Sequence, residues 1–425
     1  MSALGSVYDL APSDLAALVA ESGEPPYRAR QLGHWLDRRR VTDPRGMTDL
    51  PAGFRERLSE RLAGTGLEPR RHQAGDGGWT HKFLFGLGGG DSVESVLMLY
   101  PPKAGDAGGA KVRDARREAL DPDDWEAPGS GRTGRAGRAG RAGRATVCIS
   151  TQAGCAMGCT FCATGQFGFT RNLSTGEVVE QVARVWAALP GLRPHPSAPV
   201  HLTNVVFMGM GEPFANPTAT WGAARRLHEG FGLSARAITV STVGLVPGIR
   251  RAAAEPLAVN LAVSIHAADD ELRDRLVPAN RSWPIAELLD AVGGYVEATR
   301  RRVSFEYALM RGVNDSVDQG RRLGRLLAPL RVPGTGGHAA HVNVIPYNPT
   351  PGTGFSAPSR SAVRRFRDAV AESGVPVSVR ANRGTGIDAA CGQLRTTAGR
   401  PGRTVALPAP SRTVALPAPS QGAAG

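Results

Sequence analysis

The chain has 425 residues, 41% of them hydrophobic and 21% charged, with a formal net charge of +13. This length suits one large domain with a smaller one. No apolar run approaches the roughly 18 residues that span a bilayer, and the first residues lack the basic and apolar regions of a secretion signal. Five cysteines in such a chain predict a reduced, cytoplasmic protein with no membrane segment rather than a disulfide scaffold.

The positive charge has two interpretations. A basic chain suits a polyanionic partner, above all nucleic acid. A GC-rich genome, which favours arginine over lysine, produces the same excess without any such partner. Charge alone leaves both interpretations open.

Residues 1–66 predict a small helical domain that serves as an RNA-binding accessory domain. Apolar residues recur at helical spacing after Ser13, Tyr27 and Met47, as expected of three amphipathic helices. Arginines beside Tyr27 and Trp35 suit contacts with RNA phosphates and bases. We nevertheless expect Trp35 and Leu36 themselves to belong to the core.

Residues 67–102 predict a β-rich connector. Two strand-like runs, Lys82–Leu87 and Ser92–Met98, flank a glycine turn. The second run places Glu94 between apolar residues. Such a carboxylate either faces solvent or points into a site as a proton acceptor, and the alternation by itself favours the solvent-facing position.

Two segments lack the pattern of a folded core. Residues 103–145 end in repeated Gly-Arg-Ala and predict a disordered insertion. Residues 397–425 carry a direct repeat, Arg403–Ser411 and Arg412–Ser420, and predict a disordered tail. We assign no function to either segment.

Residues 146–396 alternate strands with amphipathic helices and predict a catalytic barrel. Six units of this kind imply an α/β fold, with a parallel sheet curved into a partial (β/α)6 barrel and helices outside. The predicted strands are Thr146–Ser150, Asn204–Met208, Ala237–Val240, Val259–Val263, Val303–Tyr307 and His341–Ile345.

Three cysteines, Cys155, Cys159 and Cys162, follow the first of these strands with C-x3-C-x2-C spacing. Thiolates suit iron–sulfur clusters and zinc, but a structural zinc site normally has a fourth nearby Cys or His. We therefore predict a [4Fe–4S] cluster with one open iron, and zinc remains the alternative. The spacing resembles the radical S-adenosylmethionine (radical SAM) signature, which implies that the open iron binds S-adenosylmethionine.

Polar and small residues follow most of the other strands. Because the carboxyl ends of parallel barrel strands meet at one face, these residues are expected to form an S-adenosylmethionine pocket beside the cluster. The candidates are Gly211, Glu212, Ser241, Ser264, Ile265, His266 and Asn348.

Two cysteines lie outside the cluster motif. Cys148 falls within the first strand, where a small hydrophobic residue is an ordinary occupant. Cys391 lies in a glycine-rich segment that is more typical of a functional loop than of a core. A thiol there is suited to act as a nucleophile or a group carrier.

With these residues in place, the chain resembles the RlmN family of radical SAM RNA methyltransferases over nearly all of residues 8–396, apart from the insertion. The matching motifs are Ser150–Cys155, Phe169–Leu173, Met208–Pro213, Ser241–Gly244, Ser264–Ala267 and Gly386–Leu394.

The resemblance implies two molecules of S-adenosylmethionine per turnover. The first methylates Cys391, and the second yields a radical that activates this methyl group for addition to carbon 2 of an adenine. Cys148 matches the family cysteine that resolves the protein–RNA adduct by forming a disulfide with Cys391. Glu94 matches the proposed proton acceptor, which reverses the solvent-facing expectation, and the strand-end candidates match the S-adenosylmethionine contacts.

By the same resemblance, the substrates are an adenosine of 23S rRNA and, in many relatives, adenosine 37 of tRNA. An external electron donor of flavodoxin or ferredoxin type is implied, and we expect a monomer. Three alternatives remain open at this point. They are a Cfr-type enzyme acting at carbon 8, a zinc-stabilised RNA-binding protein without catalysis, and a radical SAM enzyme with a small-molecule substrate.

Overall fold

The structure, a computed structural model, describes residues 6–62, 66–102, 143–380 and 382–394. The predicted tail and residues 103–142 of the predicted insertion lie outside these ranges. Gly143 is described, and the first barrel strand begins at Arg144, two residues before the predicted start of that strand.

The amino-terminal domain contains three helices, α1 (Pro12–Glu21), α2 (Tyr27–His34) and α3 (Ala52–Arg61). Their apolar faces meet in a core that includes Leu36, which is fully buried, and Trp35, which is 8% exposed. The core position expected for these two residues is therefore confirmed. Asp9 joins this domain to the barrel, because its carboxylate accepts hydrogen bonds from the Ser174 hydroxyl and the Gly176 amide.

Three antiparallel strands follow, β1 (Glu68–Gly75), β2 (Thr80–Gly86) and β3 (Ser92–Tyr100). β1 is largely exposed, whereas β2 and β3 are buried along nearly their whole length. Glu94 on β3 is only 3% exposed. The solvent-facing position that alternation favours is therefore wrong, because both faces of β3 are covered.

The parallel strands continue the same sheet. They pair in the order β3, β4, β7, β8, β9, β10, β11, β12, and β3 runs antiparallel to β4. A short separate hairpin, β5–β6, follows β4. The strand bounds are β4 (Arg144–Cys148), β5 (Gln152–Gly154), β6 (Phe169–Asn172), β7 (Asn204–Phe207), β8 (Ile238–Thr242), β9 (Asn260–Ser264), β10 (Val303–Leu309), β11 (Ala340–Pro346) and β12 (Val377–Val379).

Six of these parallel strands are the predicted ones, with bounds shifted by at most two residues, and the three-residue β12 extends the sheet beyond them. No pairing within the described ranges joins β12 back to β4, so the sheet forms a partial barrel. The predicted α/β fold with a partial barrel and a helical amino-terminal domain is confirmed.

Within the described residues, eight α-helices accompany the strands of the barrel. The predicted capping box at the start of α5 is present, because Ser174 and Glu177 each accept a hydrogen bond from the other's backbone amide. The helix bounds are α4 (Ala163–Phe167), α5 (Thr175–Ala188), α6 (Pro217–Glu229), α7 (Val246–Ala254), α8 (Asp270–Leu276), α9 (Ile285–Thr299), α10 (Val317–Leu327) and α11 (Arg360–Ala371). No helix in the described part of the chain is long and apolar enough to cross a membrane.

Candidate active site

The three-cysteine loop lies between β5 and β6. Gly154 has a φ of 76°, and a Cβ atom there would lie 2.0 Å from the Gly168 carbonyl oxygen, so only glycine permits this close hairpin. The Cys155 amide donates to the same carbonyl over 2.8 Å, and the Cys162 amide donates to the Cys159 carbonyl over 3.1 Å. The hairpin and these bonds fix the start and the end of the loop.

Apolar side chains cover the cysteine loop on one side. Met157 and Phe161 pack with residues of α8 such as Leu272 and Leu276, and Cys159 is only 6% exposed. Burial raises the pKa of the Cys155 thiol to about 12, although a hydrogen bond from the Met157 amide opposes it, and the charge of Cys162 adds to the rise. A metal centre that binds these thiols must therefore displace their protons.

Thiol donors, water exclusion and a glycine-rich turn are the features that an iron–sulfur cluster requires. Burial raises the pKa of Cys159, and the charges of Cys162 and Cys155 add to the rise, so the three sulfurs lie close enough to interact. No three His, Cys, Asp or Glu side chains in the described ranges surround a single point as ligands of one ion. A multi-iron cluster does not require this, because its thiolates bind different irons, and the donor set therefore fits such a cluster.

The segment carrying Cys391 is bonded directly to the end of the cysteine loop. The Ala163 amide donates to the Gly392 carbonyl over 2.8 Å, and the Thr164 hydroxyl donates to the Leu394 carbonyl over 2.6 Å. Cys391 itself is exposed. A long-range contact thus brings an accessible thiol beside the candidate cluster ligands.

Cys148 and Cys391 are both free thiols, and they lie within range for the charge of Cys391 to act on Cys148. Burial raises the pKa of Cys148, and the charge of Cys391 adds to the rise. Protein surrounding the Cys391 sulfur raises the pKa of that thiol too, whereas the Arg380 guanidinium lowers it and Glu306 raises it. The arrangement thus holds two thiols near an ion pair of 3.3 Å between the partly exposed Arg380 and the buried Glu306.

Glu94 belongs to the same region. Its carboxylate forms an ion pair with Lys82, with an Nζ–Oε1 distance of 3.2 Å. Both side chains line a cavity of about 170 Å³, and Gly386, Ile387 and Asp388 line the same cavity. Glu94 therefore faces the segment that carries Cys391, as a proton acceptor at this site requires.

Glu212 lies at the end of β7 and is 1% exposed. Its carboxylate accepts hydrogen bonds from the Phe214 and Val243 amides over 3.0 and 2.9 Å. Burial raises the pKa of this carboxyl to about 7, although these bonds and one from Thr242 oppose the rise. An ammonium group beside Glu212 would stabilise the ionised form.

The neighbouring Gly211 has a structural role as well. It has a φ of 96°, and a Cβ atom there would lie 2.6 Å from the Cβ of Gln152. The Glu212 amide donates to the Gln152 side-chain oxygen over 2.8 Å. Gly211 thus lets the turn after β7 approach the strand that enters the cysteine loop.

The strand ends of β8 and β9 are held together by Arg273, a buried residue of α8. Its guanidinium donates to the carbonyls of Val243, Ser264 and Ile265 over 2.6 to 3.1 Å. Ser241 lies on β8 and is partly exposed. This bracing sets the spacing between the two strand ends that carry the candidate pocket residues.

His266 and Asn348 complete the set of predicted pocket residues. His266 accepts a hydrogen bond at Nδ1 from the Ala308 amide over 2.9 Å, and burial lowers its pKa to about 3, so the ring is neutral. Its ring contacts Phe161 of the cysteine loop edge-on, with centroids 4.6 Å apart. Asn348 follows β11 and is buried, and its carbonyl accepts a hydrogen bond from the Thr350 hydroxyl.

Comparison with known proteins agrees with this geometry. A family model described as the radical SAM superfamily matches residues 149–319, and one described as the ribosomal RNA large subunit methyltransferase N-terminal domain matches residues 6–63. A protein of Salinispora tropica named "Probable dual-specificity RNA methyltransferase RlmN" is 46% identical over 92% of this chain and 93% of its own length.

A protein of the same name from Streptomyces griseus is 45% identical over 91% of this chain and 93% of its own length. The crystal structure of a radical SAM methyltransferase from Sphaerobacter thermophilus superposes with a TM-score of 0.75 at 44% identity, covering 92% of this chain and 99% of that one. The chain belongs to the RlmN family of radical SAM methyltransferases. This family implies a [4Fe–4S] cluster and S-adenosylmethionine as cofactors.

Three residues of this RlmN-family site were not predicted from the sequence: Lys82, Arg273 and Arg380. On β2, Lys82 lies two residues before Leu84 and therefore on the same face of the strand. Leu84 pairs with Glu94 across the hairpin. Had the hairpin register been known, it would have identified Lys82 as the diagonal neighbour of Glu94 on the same face. Arg273 and Arg380 lie outside the matching motifs, six residues after Ala267 and six residues before Gly386, and no local pattern distinguishes them from solvent-exposed arginines.

Proposed function

We propose that this RlmN-family protein methylates carbon 2 of an adenine in 23S rRNA and of adenosine 37 in tRNA, using Cys391 as the methyl carrier. The observation that supports this most strongly is the placement of Cys391. Its segment is bonded to the cysteine loop at Ala163 and Thr164, and its thiol lies near that of Cys148. An enzyme that acts by S-adenosylmethionine cleavage alone has no need of this second pair of thiols.

Cys155, Cys159 and Cys162 would hold one [4Fe–4S] cluster per chain. When bound, the cluster supplies the electron that makes S-adenosylmethionine a source of carbon radicals. Residues at the strand ends would orient that molecule, with Glu212 paired to its ammonium group. The remaining contacts are proposed for Gly211, Ser241, Ser264, Ile265, His266 and Asn348.

Carbon 2 of adenine is electron-poor, so transfer of a methyl cation to it is unfavourable and a radical route is needed. In the proposed sequence, the Cys391 sulfur first takes a methyl group from one S-adenosylmethionine. After the methyl carbon joins the base, the adduct gives one electron to an oxidised redox partner of flavodoxin or ferredoxin type, and Glu94 takes the proton from carbon 2. Cys148 then attacks the sulfur of Cys391, and a sulfur–sulfur bond forms as the sulfur–carbon bond breaks. The released carbon keeps the electron pair of that bond and takes a proton, which completes the methyl group. The disulfide must be reduced before the next turnover.

A basic groove supports an RNA substrate over a small molecule. Arg40, Arg70, Arg71, His72 and Arg184 line a groove of about 530 Å³, and no acidic residue lines it within the described ranges. The His72 ring stacks on Phe83 with centroids 4.8 Å apart. Arginines beside an aromatic surface suit the backbone and bases of a single RNA strand.

The test is mass spectrometry of anaerobically reconstituted protein supplied with isotopically labelled S-adenosylmethionine, a reductant of flavodoxin or ferredoxin type and a 23S rRNA fragment. Label on Cys391 and at carbon 2 of adenine is the expected result, with two molecules of S-adenosylmethionine consumed per methylated base. Label at carbon 8 would identify a Cfr-type enzyme. A colourless protein with bound zinc and no label would refute the proposal. A tRNA transcript in place of the fragment tests the second substrate.

A further inference from the structure

Lys82 is among the most deeply buried cations of the described chain. Its side chain is 8% exposed, and that of its partner Glu94 is 4% exposed. The two residues are diagonal neighbours on one face of the β2–β3 hairpin, since Lys82 pairs with Val96 and Leu84 pairs with Glu94. The hairpin register thus sets the Nζ–Oε1 distance of 3.2 Å.

The same ammonium group makes a second contact. Lys82 Nζ donates to the Asp388 carbonyl over 3.2 Å. Asp388 has a φ of 51° and precedes Cys391 by three residues. Lys82 therefore links Glu94 to the segment that carries the reactive thiol. Lys82, Glu94 and Asp388 all line the cavity of about 170 Å³.

Burying this pair is costly. Removing an ammonium and a carboxylate from water costs several kcal/mol each, and a pair of apolar side chains of similar volume is often as stable or more stable. Stability alone therefore does not account for an ion pair at this position. A lysine does what an apolar residue cannot, because it donates several hydrogen bonds at once and keeps a buried carboxylate in its charged form.

We propose that Lys82 is a positioning residue for methyl transfer: it keeps Glu94 ionised and directed at the cavity, and it fixes the Cys391 segment through the Asp388 carbonyl. The inference rests on the proposed function. In the step concerned, the bond between carbon 2 and its hydrogen breaks and its electron pair stays on the base, while the unpaired electron of the adduct passes to an oxidised redox partner of flavodoxin or ferredoxin type. An O–H bond forms on Glu94, and Lys82 keeps its hydrogen bond to the Asp388 carbonyl throughout.

A second anchor of the same segment provides a matched control. The Gly384 amide donates to the Asp76 carboxylate over 2.8 Å, and the Thr80 hydroxyl donates to the same oxygen over 2.6 Å. These two bonds place the Asp76 carboxylate against Gly384 and Thr80. Asp76 has a φ of 53°, so Asp76→Gly removes this anchor without backbone strain.

The test follows methyl-Cys391, the covalent protein–RNA species and methylated adenine in single turnovers of reconstituted Lys82→Met, Lys82→Arg and Asp76→Gly. We expect Lys82→Met to form methyl-Cys391 within a few-fold of the parent rate, to accumulate the covalent species and to release product at least about 100-fold more slowly, the scale of a lost general base. Lys82→Arg should recover to within about tenfold of the parent, because it restores a cation with several donors. Asp76→Gly should not accumulate the covalent species.

Several results would overturn the inference. Product release by Lys82→Met at the parent rate is one, and accumulation of the covalent species by Asp76→Gly to the same extent is another. Addition of Lys82→Met to Glu94→Gln should cause less than about a twofold further loss, whereas full additivity would show that the residues act independently.

A separate measurement distinguishes failure of this inference from failure of the proposed function. If the parent protein labels neither Cys391 nor adenine, the proposed function fails. Alkylation of Cys391 in the protein without RNA still tests the anchoring by Lys82. We expect alkylation to be several-fold faster in Lys82→Met than in the parent, and an unchanged rate would refute the anchoring.

Discussion

The backbone amide of Ala163 donates to the carbonyl of Gly392 over 2.8 Å. Ala163 directly follows the last cysteine of the candidate cluster motif, and Gly392 directly follows Cys391. This hydrogen bond, with that from the Thr164 hydroxyl to the Leu394 carbonyl, joins the segment of the proposed cluster ligands to the segment of the proposed methyl carrier. Separate variants in the two segments should therefore separate the two functions.

The first prediction concerns the cluster ligands. Cys155→Ala, Cys159→Ala and Cys162→Ala should each lose the bound iron and all reductive cleavage of S-adenosylmethionine, because a three-thiolate set has no spare ligand. Cys391→Ala is the matched control and should keep its iron while carrying no methyl group. Iron and sulfide analysis with visible absorbance measures both. Full iron content in any of the three variants would show that the ligand assignment is wrong.

The second prediction concerns the resolving thiol. Cys148→Ala should form the methyl group on Cys391 but accumulate a covalent protein–RNA species, because no second sulfur displaces the bound carbon. The species should appear as a retarded band in denaturing electrophoresis, and nuclease should collapse it. Cys148 occupies a buried strand position, so alanine also creates a small cavity, and circular dichroism must confirm folding. A folded variant with normal product release would contradict the resolving role.

The sequence was sufficient to predict the fold because its signals are local and periodic. Strand-length apolar runs separated by amphipathic helices predicted where six parallel strands lie along the chain. Ser174 and Glu177 predicted the start of α5. The short β12 was missed because Val377–Val379 is too brief to show a period. The cysteine spacing and the glycine-rich segment at Cys391 likewise carry their signal within a few residues.

Other features depend on contacts that a sequence pattern does not contain. Glu94 alternates as a solvent-facing residue would, and only the covering of both faces of β3 buries it. Arg273 donates to the carbonyl of Val243, 30 residues earlier in the chain, and to those of Ser264 and Ile265, 9 and 8 residues earlier, and no periodic pattern predicts these contacts. The pairing of Cys391 with the cysteine loop depends on residues more than 200 positions apart, such as Thr164 and Leu394.

The third prediction concerns the basic groove. Arg40→Gln with Arg70→Gln should weaken binding of an rRNA fragment and reduce the slope of log affinity against log salt by about one to two, since each lost phosphate contact releases fewer counterions. Methylation of Cys391 should be unchanged. Arg321→Gln with Arg322→Gln on α10 is the control, because it removes the same two charges from exposed ion pairs with Glu372 and Asp318. Equal losses in both proteins would show that net charge, and not the groove, binds RNA.

The last prediction follows from the raised pKa of Glu212, which burial brings to about 7 in the folded protein from an ordinary value of 4.5. Between these two values the folded chain keeps a proton that the unfolded chain has lost. The contribution of Glu212 to stability is therefore full below about pH 4.5 and is lost as the pH rises through 7. Glu212→Gln should remove this dependence, since the amide does not titrate.

The measurement is urea unfolding of the parent and of Glu212→Gln, both without bound S-adenosylmethionine, at pH 5.5 and 7.5. The parent should lose about 2 kcal/mol more unfolding free energy than the variant over this interval. Added S-adenosylmethionine should reduce that difference, because its ammonium group stabilises the ionised carboxylate at neutral pH. Parallel pH profiles for the two proteins would show that Glu212 is ionised across the whole range and that burial does not control its charge.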